Sequence, residues 1–102
     1  MSETDQQRGM NIELRFFATF RKAVGQKVVE REYDDDATVG DVLAAIESEW
    51  PELVGEILDG DGDIQPQLTI LKNGREVVHI DGTETELDDG DRLSVFPPVA
   101  GG

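Results

Sequence analysis

The stretch TVGDVLAAIESEWP, from Thr38 to Pro51, carries the strongest helix signal in the chain and constrains everything around it. Val39, Val42, Leu43, Ile46 and Trp50 fall on one stripe at helical spacing. Thr38 suits the N-cap, with Asp41 following as a weak form of the capping box, and Pro51 stops the run. Asp34, Asp35 and Asp36 stand just ahead of the positive end of the helix dipole, where negative charge is favoured, so their role reads as structural. A helix with one apolar stripe has to bury it against another layer. The remaining apolar residues must therefore supply a sheet.

They do so in short runs. Ile12, Leu14 and Phe16 alternate with Asn11, Glu13 and Arg15, the period of a strand with one buried face, starting at Met10. FATFRKAVG then reads as a turn or short helix closed by Gly25. QKVVEREY follows as a second strand, antiparallel to the first because the connection is short. LTILKNGREVVHI shows two apolar runs around Asn73-Gly74, a hairpin signal because a type I′ turn wants positive φ at both central positions. RLSVF, with Leu93 and Val95 alternating, is the last strand. This order of strand, strand, helix, hairpin, strand fits an α+β fold: a mixed sheet of four to five strands with one main helix on one face.

At 102 residues, with 37% hydrophobic residues, the chain fits one domain with one core. The expected division is a flexible segment over residues 1–9, which have no aliphatic or aromatic side chain beyond Met1, a folded domain over 10–96, and a flexible tail over 97–102. With 0 cysteines there are no disulfides, thiolate metal sites or thiol nucleophiles. MSETDQQRG lacks the basic start and apolar core of a secretory signal, and no run approaches the roughly 18 apolar residues of a membrane span. A cytoplasmic chain without membrane contact is expected. The 23 Asp plus Glu against 9 Lys plus Arg leave a formal net charge of -14, which repels phosphate backbones and argues against nucleic acid as a partner. With only Lys22, Lys27 and Lys72 as lysines, the composition is that of a halophilic protein, whose self-repulsion salt would screen.

Chemistry-bearing patterns are few. Asp59, Asp61 and Asp63 alternate as in a calcium loop, but Ile64 stands where the sharp turn needs glycine and Ile70 where a bidentate glutamate should close the site. His79, the only histidine, falls in the second hairpin strand with no second histidine or cysteine to complete a metal site or triad. No glycine-rich phosphate loop occurs. The expectation is no catalytic residue, no metal and no bound cofactor.

Attention passes to FPPVAGG, Phe96 to Gly102. Proline has no N–H and is excluded from central strand positions, so Pro97-Pro98 ends the pairing of RLSVF and sends the chain off the sheet. Val99 and Ala100 are slight, and Gly101 and Gly102 have no Cβ, so the terminal backbone can enter a channel too narrow for side chains. The Gly102 α-carboxylate is ionised above about pH 3.5 and is then a poor electrophile, so it must be activated by another protein.

IELRFFATFRKAVG, DATVGDVLAAI and DGDRLSVFPPVAGG together resemble the MoaD family of ubiquitin-like β-grasp proteins, which includes the small subunit of molybdopterin synthase and the small archaeal modifier proteins. The acidic composition is closer to the modifier branch. The resemblance covers residues 10–102 and implies that an E1-like enzyme uses ATP to adenylate Gly102. The product would become a thiocarboxylate that donates sulfur, or be joined to a target protein through a lysine; the large subunit of molybdopterin synthase is the alternative partner. Gly101 and Gly102 match the family's diglycine, Phe96 the aromatic before its prolines, and Phe17 the second aromatic of its FF pair. Strand parity groups the same residues: if Ile12, Leu14 and Phe16 face the helix, Phe17 faces away. Phe96 and Leu71 follow by the same count, forming a docking patch on the outer sheet face of a monomeric carrier.

Overall fold

The computed structural model describes residues 9–98. Five strands, β1 (Gly9–Phe16), β2 (Val28–Asp34), β3 (Thr69–Lys72), β4 (Arg75–Glu76) and β5 (Arg92–Phe96), form one sheet in the order β2-β1-β5-β3-β4. The pairing of β1 with β5 is parallel and the other pairings are antiparallel, so the sheet is mixed. Two helices, α1 (Ala18–Val24) and α2 (Val39–Glu49), complete the α+β architecture. β1 begins at Gly9, paired with Asp34, one residue ahead of the expected boundary at Met10. Residues 1–8 and 99–102, which hold most of the two expected flexible segments, lie outside the described residues.

The two periodicities meet in one core. Met10, Ile12, Leu14 and Phe16 of β1 and Leu93 and Val95 of β5 are buried under Val39, Val42, Leu43 and Ile46 of α2. Burial of each large apolar side chain contributes about 1.5–3 kcal/mol, so this interface dominates stability. Trp50, at the C-cap of α2, packs edge-to-face with Phe16, ring centroids 5.5 Å apart and planes inclined by 69°. The capping box at Thr38 is complete: the Asp41 N–H donates to Thr38 Oγ1 at 3.4 Å, and the Thr38 N–H donates to Asp41 Oδ2 at 3.0 Å. Pro51 diverts the chain into a 3₁₀ turn over Pro51–Leu53. Glu47 then anchors the following loop by accepting from the N–H groups of Ile57 and Leu58 at 3.1 and 2.8 Å.

The hairpin forms at Asn73-Gly74, with φ of 51° and 91° as the type I′ signal requires, but its second strand is only Arg75–Glu76. Val77 is fully buried, and pulling it into the core takes Val77–His79 out of the ladder as a 3₁₀ turn. His79 is therefore not in a strand. It is exposed, with Nε2 3.4 Å from Glu76. FATFRKAVG, expected as a turn or short helix, is the helix α1; it ends at Gly25, whose φ of 90° closes it in the left-handed region.

Candidate functional site

The site is the edge where the chain leaves β5. The β1–β5 ladder ends at Phe16↔Val95 and the β3–β5 ladder at Thr69↔Phe96, so Phe96 is the last paired residue. Pro97 and Pro98, which follow, lie outside any strand and have no N–H with which to continue. Leu93 and Val95 are buried, so Phe96 faces the opposite side, and one residue past Phe16 the same parity turns Phe17 outward.

Parallel pairing of β1 and β5 puts these two aromatics side by side. The rings of Phe17 and Phe96 are stacked with centroids 4.2 Å apart and planes inclined by 8°. Both remain half-buried, so the stack keeps a face open to solvent. Ala18, which follows Phe17, holds φ at 55°, a strained value for a residue with a Cβ. That single left-handed residue turns β1 into α1 while leaving the Phe17 ring over Phe96. Lys27 adds a cation 6.0 Å from the Phe17 centroid. Leu71 is on the same face: it pairs with Ser94 while Thr69 pairs with Phe96, which puts it one diagonal step from the stack. Three sequence-derived positions, Phe17, Phe96 and Leu71, thus share one outer surface, with Phe17 and Phe96 in direct contact. Gly101 and Gly102 lie outside the described residues.

Elsewhere on this face Val28 is an exposed apolar residue opposite Arg15, and the charged side chains Glu13, Arg15 and Arg92 cluster. Glu13 Oε2 accepts from Arg15 and lies 3.3 Å from Arg92 Nε; the Arg15 hydrogen bond foremost holds its carboxyl below the usual carboxylate range. On the helix side of the sheet, Arg31 of β2 binds both Glu49 oxygens, a hydrogen bond that raises its pKa, and lies over the Trp50 ring. Burial, and then the Glu49 carboxylate, push the neighbouring Tyr33 phenol up to about 12.

Asp59 Oδ1 accepts from the N–H groups of Asp61 and Asp63 at 2.8 and 3.0 Å, so that carboxylate shapes its own loop. Among the described residues no group of three or more His, Asp or Glu side chains is gathered to hold a metal. Nor, among them, is any helix long and apolar enough to cross a membrane.

A sheet of this order with a helix packed on it, and a final strand that ends in an aromatic stack and two prolines, defines a ubiquitin-like β-grasp carrier. Comparison with known proteins narrows the class: the ThiS family profile matches residues 14–102, and the chain belongs to that family. It is 61% identical over 93 residues to small archaeal modifier protein 3 of Haloferax volcanii, covering 91% of this chain and 100% of that one. Small archaeal modifier protein 1 of the same organism is 34% identical, with 89% and 100% covered. A putative sulfur carrier protein of Archaeoglobus fulgidus is 38% identical over 65 residues, 64% of this chain and 74% of that one. A Haloferax volcanii protein solved in solution superposes with a TM-score of 0.85 at 61% identity, over 92% of this chain and 88% of that one. These relatives are modifiers and carriers by name, not enzymes, and the Haloferax source of the first two agrees with the halophilic composition.

Proposed function

We propose that this protein is a ubiquitin-like modifier and sulfur carrier whose chemistry is performed at the carboxylate of Gly102. The observation that carries the reading is the exit geometry: β5 stops pairing at Phe96, on an aromatic stack, and two prolines that cannot continue the ladder follow. Phe17, Phe96 and Leu71 serve as the docking surface for a partner enzyme, and Gly101 and Gly102 as the part that enters its active site. The likeness to small archaeal modifier protein 3 along 91% of the chain supports the same reading.

The chemistry follows from the terminus. A Gly102 carboxylate oxygen attacks the α-phosphorus of ATP in an E1-like enzyme, pyrophosphate leaves, and a mixed anhydride with AMP is formed. A lysine amine of a target protein then attacks the carbonyl carbon, AMP departs, the amine loses a proton, and an isopeptide bond results. Attack by hydrosulfide instead releases AMP and leaves a thiocarboxylate, which a larger synthase subunit can draw on as a sulfur source. Nothing in this scheme asks the carrier for a general base or a metal; it asks for a terminus without side chains and a rigid surface that delivers it.

The test is ATP–pyrophosphate exchange with the E1-like enzyme of the same organism. The native chain should support exchange, and a chain extended past Gly102 by one tryptophan should not. Exchange by the extended chain, with the extension shown intact by mass, would refute the reading.

A further inference from the structure

From Leu14 to Val29 the chain has no Asp or Glu, although it contains 23 of them in 102 residues, and Arg15, Arg21, Lys22 and Lys27 all fall there. The fold gathers this stretch at the end from which the tail departs. The Phe16 N–H donates to the Lys27 carbonyl at 2.9 Å and the Arg21 N–H to the Phe17 carbonyl at 3.3 Å, which sets α1 and the turn into β2 beside the aromatic stack. Arg21 and Lys22 border a shallow depression with Ala18 and Gly25, and Lys27 reaches over the Phe17 ring.

Arg21, Lys22 and Lys27 are exposed, and among the described residues no carboxylate pairs with any of them. Of the other described cations, Arg15, Arg31, Lys72 and Arg92 each hold a carboxylate of this chain, while Arg75, exposed on the hairpin, also has no carboxylate partner among the described residues but stands by itself. The acids gather at the opposite end of β1: Asp34 pairs with Gly9, and Asp35, Asp36, Glu84, Glu86 and Asp88 line a groove there. A chain of net charge -14 repels an acidic protein surface overall, and this pole is where three unpaired cations lie close together without an acid between them in sequence. Complementary charge mainly steers encounter and fixes register. In molar salt, with a Debye length of about 3 Å, it acts only at contact range, so the acids must touch these side chains.

We infer that Arg21, Lys22 and Lys27 form a cationic collar that receives an acidic surface of the adenylating enzyme, so that the carrier docks tail end first. This rests on the function proposed above and adds to it the chemistry of the partner's surface, which the aromatic stack alone does not specify.

The test compares Arg21→Glu and Lys22→Glu with Arg75→Glu, an equal charge change on the hairpin, in ATP–pyrophosphate exchange with the cognate enzyme. Each collar variant should raise KM for the carrier about fivefold with kcat kept, as expected when attraction at an interface becomes repulsion, while Arg75→Glu leaves both unchanged. A carbodiimide coupling of the native pair should join Lys22 or Lys27 to an Asp or Glu of the enzyme. Equal effects from all three variants would reduce the collar to bulk charge and overturn the inference, as would native KM in both collar variants. Self-association of the carrier, or binding of a short RNA, that Arg21→Glu abolishes while KM stays native would assign the collar to those partners instead, which also overturns it. Absence of exchange with the native carrier would sink the proposed function and this inference together, whereas exchange unaltered by the collar variants sinks only the inference.

Discussion

Replacing Phe96 by alanine separates a docking surface from a second core. Phe96 is half-buried and stacked on Phe17 at 4.2 Å. Loss of the stack costs about 0.5–1.5 kcal/mol, and loss of partial burial costs about 1 kcal/mol more. The expected total is about 2 kcal/mol. Phe16, with 0% exposure, sets the contrast: its replacement by alanine should cost about 3–5 kcal/mol. In urea denaturation, the two variants should therefore differ clearly in midpoint at similar slope. The functional effect should run the other way. An aromatic anchor at the centre of an interface is worth about 2 kcal/mol or more, so Phe96→Ala should raise KM for adenylation about thirtyfold at a temperature where the variant is folded. A stability loss equal to that of Phe16→Ala, with KM unchanged, would refute the reasoning and make the stack a structural feature alone.

Other predictions follow from single contacts. Thr38→Ala removes the N-cap of α2 and should lower stability by about 1 kcal/mol in thermal or urea unfolding. Tyr33 is the only tyrosine, so phenolate absorbance reports it alone and should titrate in the folded chain near 12 instead of the usual 10.0, with Glu49→Gln lowering the midpoint. Because the folded-state pKa is raised, this group's contribution to stability is present below pH 10.0 and is lost as pH rises toward about 12. A midpoint of 10.0 in the folded chain would contradict it. With a net charge of -14, the urea midpoint should climb as salt is raised from physiological to molar levels, where the Debye length falls from about 8 to about 3 Å; a flat midpoint would refute the role given to self-repulsion.

Most of this architecture could be read from local pattern because the local signals agree with one another. The alternation in Met10–Phe16, the stripe and cap of α2 and the Asn73-Gly74 turn each have one low-energy solution, and the structure adopts all three. What local pattern could not supply was tertiary. Val77 leaves the hairpin because the core takes its side chain, and no propensity in EVVHI announces that. Parity placed Phe17, Phe96 and Leu71 on one face, but the 4.2 Å stack depends on the parallel pairing of β1 with β5, strands at opposite ends of the chain. The acid-free stretch from Leu14 to Val29 becomes a cationic pole beside the tail exit only through the same pairing.

The central claim is that the product of this protein's activation is carried on the carbonyl of Gly102. Mass spectrometry of the protein and its conjugates, recovered from the organism that makes it, reads that carbonyl directly. Arg92 is the last basic residue, so trypsin should leave LSVFPPVAGG on target lysines, and the free carrier should include a form with one terminal oxygen replaced by sulfur. Recovery of only the unmodified carboxylate, with no branched peptide bearing that remnant, would contradict the account.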